Sequence, residues 1–342
     1  MLKNNWLLTR RTLMKATLTG LTSLTLTPST LWAGNARQAE RDLLVHQLSE
    51  ETGLSAKSIA PIIEQAVFDE SIITRIKTPY ESRSYAKYRP LFVHQKLARK
   101  GEAYMQKHAD IFAACEKKYG VQKEVIAAIL GMETRYGTYH GKDAVVSSLF
   151  TLATGYPRRA KFFRKELGEL LLLCQEEGLN PLTFKGSYAG AFGTTQFIPS
   201  SYRAYAVDAD GDGKRNVWDS PADIINSVAN YFHRHGWDGS QPLAHWLPAK
   251  KQPATLRQQA EKGFKQWHQL GEIRHLLPPL DNRWQNDAKV TLIHMKTQQG
   301  EQLALVHYNF YVITRWNRSY NYAMAITELA ELMHCQACKT DA

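Results

Sequence analysis

Two stretches of the chain carry residues whose type and spacing suit chemistry. The first, "VIAAILGMETRYG", places a single carboxylate, Glu133, near the end of an otherwise apolar run, with Gly131 before it and Gly137 after it. A glutamate near a helix end is ordinarily a solvated charge. On the apolar side of a helix and facing a cleft, it would be desolvated and its protonated form favoured. A carboxylic acid held protonated near neutral pH can give a proton to a departing oxygen, which glycosidic cleavage requires. The second stretch, "DADGDGKRNVWD", sets acidic groups at alternate positions around a glycine. In an EF-hand loop, positions 1, 3, 5, 7, 9 and 12 hold calcium, the seventh through its backbone carbonyl, and the sixth is glycine. Here those places are Asp208, Asp210, Asp212, Lys214, Asn216 and Asp219, with Gly213 sixth. Asp219 is shorter than the usual glutamate, which reduces its bidentate reach. An Asp/Gly-rich surface turn has the same composition. Calcium sensors carry such loops in pairs, and no second loop of this type occurs, so the expectation is one structural site that holds a fold together.

A third stretch, "GSYAGAFGTTQFIPSSYRAYAVD", has glycines at 186, 190 and 193 that permit tight turns and close backbone approach. Alone it reads as an ordinary loop between helices. Taken in order, GMETRYG, this loop, the calcium-type loop followed by SVANYFHRHGW, and NFYVITRWNRSYNYAMA resemble the membrane-bound lytic murein transglycosylase B family from residue 40 to residue 333. The resemblance implies a mainly α (α+β) fold: a lysozyme-like core, an additional helical domain, a small β-rich insert and one bound calcium. It also implies peptidoglycan glycan strands as substrate. Cleavage would fall at the MurNAc-β-1,4-GlcNAc bond and leave 1,6-anhydroMurNAc ends, with Glu133 as the sole catalytic carboxylate. By the same match, Ser187 and Gln196 line the sugar site, Tyr88 and Tyr231 are aromatic cleft walls, and Tyr308 and Asn309 form a polar pair facing the scissile sugar. Trp316 stands where the family pattern has tyrosine, so a ring is kept and a hydroxyl lost. A lysozyme-like hydrolase would use the same Glu133 with water, and a non-catalytic peptidoglycan- or calcium-binding module would use none of this chemistry.

The elements that must position these residues are mostly helical. Apolar residues recur at spacings of three and four from Ala36 to Ala127, with Gly120 placed to end a helix. Helices are predicted over 121–135 and 161–177, the latter ending at Gly178. Another follows the acidic loop, with Ser220 as cap and Pro221 in its first turn. One more is predicted over 254–271. Residues 288–313 alternate apolar and polar around Gln298-Gln299-Gly300, as a β-hairpin does, and a final helix covers 321–334. The expected division is a leader over 1–33, a helical domain over 34–120, the catalytic core over 121–237, the insert over 238–307, a return to the core over 308–334 and a tail over 335–342.

The leader has a basic start with Arg10-Arg11 and a short apolar run from Ala16 to Leu26, which resembles a twin-arginine export signal cleaved after Ala33. That run is too short to span a bilayer and no other segment is long enough, so a periplasmic monomer without a stable membrane anchor is expected. The net charge of +11 points to an anionic partner. Scattered basic residues and an export signal favour an envelope polymer over nucleic acid. Cys115 and Cys174 fall in helical patterns and read as core. Cys335 and Cys338, beside His334, leave a local disulfide or a metal site open.

Overall fold

The computed structural model describes residues 28–79, 82–248 and 252–340, with side chains from 37 to 334. The expected leader and the thiols of Cys335 and Cys338 lie outside the described side chains. Six helices lead in: α1 (Pro28–Thr52), α2 (Ala56–Gln65), α3 (Glu70–Lys77), α4 (Tyr85–Tyr88), α5 (Gln95–Lys107) and α6 (Ala109–Tyr119). They are followed by α7 (Lys123–Thr134), β1 (Asp143–Ala144), α8 (Val145–Gly155), α9 (Ala160–Glu177), β2 (Lys185–Gly186), α10 (Pro199–Tyr205) and α11 (Pro221–Arg234). The insert holds β3 (Ala244–Trp246), α12 (Ala254–Lys262), β4 (His268–Gln269), α13 (Leu270–Ile273), β5 (Lys289–Thr297) and β6 (Gly300–His307). The chain then returns through α14 (Tyr308–Trp316) and α15 (Tyr320–Thr340).

Local chemistry sets the helix ends. Gly120 and Gly178 take φ of +68° and +66° after α6 and α9, and their N–H groups return to the carbonyls of Glu116 and Cys174. Ser220 accepts the Asp223 N–H at 3.3 Å, and Pro221 opens α11. Helix α7 is apolar on every side, so it runs through the centre of the molecule: every residue from Val125 to Met132 is buried. It packs against α5, α6, α11 and α15. One apolar core extends from Leu44 to Met333, and so joins the leading helices to the 121–237 segment. Cys115 and Cys174 are free and buried within it, and burial pushes both thiols up to about 12.

The insert sheet runs β3-β6-β5-β4, all antiparallel, with β5 and β6 paired from Val290↔His307 to Thr297↔Gly300. Because side chains alternate along a strand, Leu303 and Leu305 join Leu256, Trp284 and Leu292 in a separate small cluster. Ala304 and Val306 join Ile293 and Met295 against the main core. Both faces are therefore covered. The hairpin ends at His307 and does not run on to residue 313 as the alternation suggested, because His307 Nδ1 accepts the Asn309 N–H at 3.1 Å and starts α14. The helix predicted over 254–271 also stops early, at Lys262, where Gly263 takes φ of +48°.

Candidate active site

Glu133 lies one residue from the end of α7, at the rim of the core and half-buried. Its Oε1 accepts the Trp316 Nε1–H at 2.9 Å and the Tyr322 Oη–H at 2.6 Å. An indole N–H can only donate, so Oε1 is held as an acceptor by two donors. The hydroxyl that the sequence match loses at 316 is thus replaced by an N–H. Phe232 lies against the Trp316 ring at 5.6 Å and 10°, and Tyr231 meets it edge-on at 4.8 Å.

The backbone just past Glu133 is strained. Arg135 and Tyr136 have φ of +51° and +61°, ahead of Gly137 at +77°, conformations that cost a side-chain-bearing residue about 1–3 kcal/mol. Two hydrogen bonds close the turn, Arg135 N–H to the Gly131 carbonyl and Tyr136 N–H to the Leu130 carbonyl, each 3.1 Å. The Tyr136 ring fixes the strain by sliding between two helices. A Cβ at Gly131 or at Gly101 would lie 2.5 Å from its Oη, and Tyr104 stacks on it at 5.2 Å.

The 186–198 loop docks on this turn. Thr134 Oγ1 donates to the Thr194 carbonyl at 3.1 Å. Thr194 in turn donates from Oγ1 to the Trp218 carbonyl at 2.9 Å and from N–H to the Val217 carbonyl at 2.8 Å. With its one hydroxyl proton used, Thr194 accepts from His140 Nε2 at 2.8 Å, which assigns the Nε2–H tautomer. Ser187 Oγ accepts the N–H groups of Ala189 and Ala191 at 3.3 and 3.1 Å, leaving its proton to donate. Gln196, at φ +50°, donates from Nε2 to the carbonyls of Gly193 and His140 at 2.9 and 3.3 Å, which leaves Oε1 as acceptor.

The acidic loop ends where Thr194 grips it. Carboxylate oxygens of Asp208, Asp210 and Asp212 lie within 4.8 Å of one another and are exposed, a grouping of like charges that a hard cation relieves. Asp208 accepts the N–H groups of Gly211 and Gly213 at 2.7 and 2.8 Å, and Gly213 takes φ of +86°. The structure does not bring Asp219 into that cluster, and Asn216 Oδ1 is engaged by the N–H groups of Trp218 and Asp219 at 3.1 and 3.0 Å. Sequence reasoning missed Asp223. Fully buried, it accepts the N–H groups of Ala209 and Asn216, both at 2.7 Å, and so braces both arms of the loop. Burial pushes its carboxyl above the usual range, against those two hydrogen bonds. The Ser220-x-x-Asp223 capping spacing was the available signal.

Three of the expected sugar-site residues sit differently. Asn309 is fully buried and its amide is satisfied: Oδ1 accepts the Asp238 N–H at 3.0 Å and Nδ2 donates to the Asp238 carbonyl at 2.6 Å. It clamps the first residue of the insert and does not face an open site. Tyr88 is 1% exposed against Phe92, and Tyr231 is 5% exposed behind Trp316; both support the wall from within the core. Tyr308 joins a ring cluster with Trp267 and Tyr311, 5.4 Å from each. The polar partner that sequence reasoning missed is Tyr322, which stands in the same quoted motif as Trp316.

Residues 36–331 match the family model of the transglycosylase SLT domain. The chain is 35% identical over 301 residues to membrane-bound lytic murein transglycosylase B of Escherichia coli (strain K12), covering 84% of this chain and 80% of that one. Among solved structures, soluble lytic transglycosylase SltB1 from Pseudomonas aeruginosa matches with a TM-score of 0.75 at 37% identity, over 87% of this chain and 99% of that one. The Escherichia coli lytic transglycosylase Slt35 in complex with calcium matches with a TM-score of 0.76 at 33% identity, over 87% and 93% of the two chains.

Proposed function

The chain belongs to the transglycosylase SLT domain family, and on that premise we propose that Glu133 carries its reaction alone, first as acid and then as base. The protein is a peptidoglycan lytic transglycosylase with a mainly helical, lysozyme-like fold. The observation that carries the role of Glu133 is the pair of donors on its Oε1. Protonated at Oε2, Glu133 gives its proton to the oxygen joining MurNAc to GlcNAc. As the bond to muramic C1 breaks, the acetamido group of that sugar stabilises the positive charge. The Glu133 carboxylate, held by Trp316 and Tyr322, then takes the proton of the muramic C6 hydroxyl, whose oxygen closes on C1. A 1,6-anhydro end forms, no water is consumed and Glu133 regains its proton. The two donors favour the charged form that appears after the first transfer, and the tethered C6 hydroxyl benefits from high effective concentration.

A second carboxylate would be needed for a nucleophile or for a base acting on water. Two carboxylates of the segments flanking the 186–198 loop are engaged elsewhere: Asp143 by Arg75 at 2.9 Å through both oxygens, and Glu166 by the N–H and hydroxyl of Ser200 at 2.9 and 2.7 Å. Ser187 is assigned to donate to the muramic sugar and Gln196 Oε1 to accept from a sugar hydroxyl. The hard oxygen set of Asp208, Asp210 and Asp212 fits calcium, which these three would hold; when bound, it would neutralise the acidic cluster and stiffen the loop. Thr194 carries that stiffness to Thr134, beside Glu133. The same reading puts the protein in the envelope, exported as a monomer by the twin-arginine leader. No described helix is long and apolar enough to cross a membrane.

The test is mass spectrometry of fragments released from purified peptidoglycan. Wild type is expected to yield ends lighter by one water than hydrolysis products, and Glu133→Gln none. Reducing ends would make the protein a hydrolase, and activity of the variant within tenfold of wild type would remove Glu133 from its role.

A further inference from the structure

We propose that the aromatic rings where the insert meets α14 form a second glycan-binding surface, which holds sugars of a long peptidoglycan strand beyond those at Glu133. Trp267, Tyr308 and Tyr311 are all half-buried and form one cluster, with Trp267 5.4 Å from Tyr308 and 6.0 Å from Tyr311. Phe264 backs Trp267 in parallel, 5.7 Å away at 1°. The Trp267 Nε1–H donates to the Phe264 carbonyl at 3.0 Å, so the ring is fixed before anything binds and little freedom is lost on binding. Lys289 places Nζ 4.5 Å from the Tyr308 ring and 5.4 Å from the Trp267 ring.

Sugar rings present C–H faces, which complement the negative faces of aromatic rings. The carboxylates of peptide branches complement Lys289 and Arg315, which is exposed and four residues along the helix from Tyr311. One helix links the cluster to the site already described. Helix α14 begins in this cluster at Tyr308 and ends, about 12 Å away by helical rise, at the Trp316 that bonds Glu133. A polymer held at Glu133 needs a path out of the cleft, and α14 connects the two places.

This rests on the cleavage assigned above. The readout is the ratio of kcat/KM on long glycan strands to kcat/KM on a muropeptide tetrasaccharide, in which the fraction of active enzyme cancels. Trp267→Ala is expected to lower the ratio by about threefold to tenfold, and Trp267→Phe to restore most of it. A Trp267→Ala ratio at the wild-type value overturns the surface, whatever happens to the separate rates. Wild type that cleaves neither substrate would instead overturn the cleavage assignment on which the surface rests.

Discussion

Thr194→Val tests whether the acidic loop supports Glu133 through one side chain. Thr194 is 2% exposed, and valine nearly matches its volume, so the substitution removes hydrogen bonds and little else. Two are lost, to the Trp218 carbonyl at 2.9 Å and from His140 Nε2 at 2.8 Å. The backbone links to Val217 and Thr134 remain. Losing the His140 bond costs about 1 kcal/mol net and stranding the Trp218 carbonyl costs about 1–3 kcal/mol, so the change should cost about 2–4 kcal/mol. In a chain of this length that is a fall in Tm of about 3–6 °C. Melting and kcat/KM would be measured with and without calcium. The variant keeps every proposed calcium ligand, so calcium should still raise its Tm; its kcat/KM should no longer gain from calcium as that of the wild type does. If calcium raised kcat/KM of the variant by the wild-type factor, Thr194 would not be the link.

Glu133→Gln should lose on the order of a thousandfold or more in turnover while still binding glycan in pull-downs with sacculi; a hundredfold loss with new reducing ends would point to rerouted chemistry. Trp316→Phe removes one donor to a charged oxygen, worth about 1.5–3 kcal/mol and so about tenfold to hundredfold in kcat/KM. Trp316→Tyr should fall less, and equal losses in the two would show that the ring, not the N–H, matters. Calcium at a hundredfold above its dissociation constant should stabilise wild type by about 2.7 kcal/mol, Asp208→Ala should respond far less, and a flat wild-type melting curve would remove the staple. Burial holds His307 down at about 4, against the pull of Asp238. The unfolded histidine binds its proton below about 6.5, so this contribution is complete above that pH and is lost as pH falls toward 4, about 3 kcal/mol in all. His307→Asn should lose less Tm between pH 7 and pH 5 than wild type does, and an identical loss would clear His307.

The sequence was most legible where local chemistry decides the outcome. Gly120, Gly178 and Ser220 end or begin helices as read, and Glu133 and the Asp208–Asp212 cluster stand out because few roles suit a carboxylate in such settings. It was least legible where tertiary packing decides. Tyr308-Asn309 and Trp316 occupy opposite ends of one nine-residue helix, α14. Periodicity cannot say which end faces the cleft, and only the fold shows that Asp238 takes up the Asn309 amide. Tyr88 and Tyr231 are illegible in the same way, since an aromatic that walls a cleft and one that fills the core leave the same pattern. Alternation over 288–313 overran because His307 ends the strand with a side-chain cap.

The slot around Tyr136 has a consequence for how this sequence can drift. Gly101 and Gly131 lie on different helices, yet the same hydroxyl stands 2.5 Å from the place where either would carry a Cβ, and Met333 Sδ stands 2.2 Å from that place at Gly101. Alanine at either glycine is blocked while Tyr136 is present, and removing Tyr136 first withdraws the wedge that holds the turn after Glu133. The order of substitution therefore matters: Gly131 should exchange only together with Tyr136, and Gly101 only with Tyr136 and Met333, and a library randomising these four positions jointly should recover active combinations that no single replacement reaches.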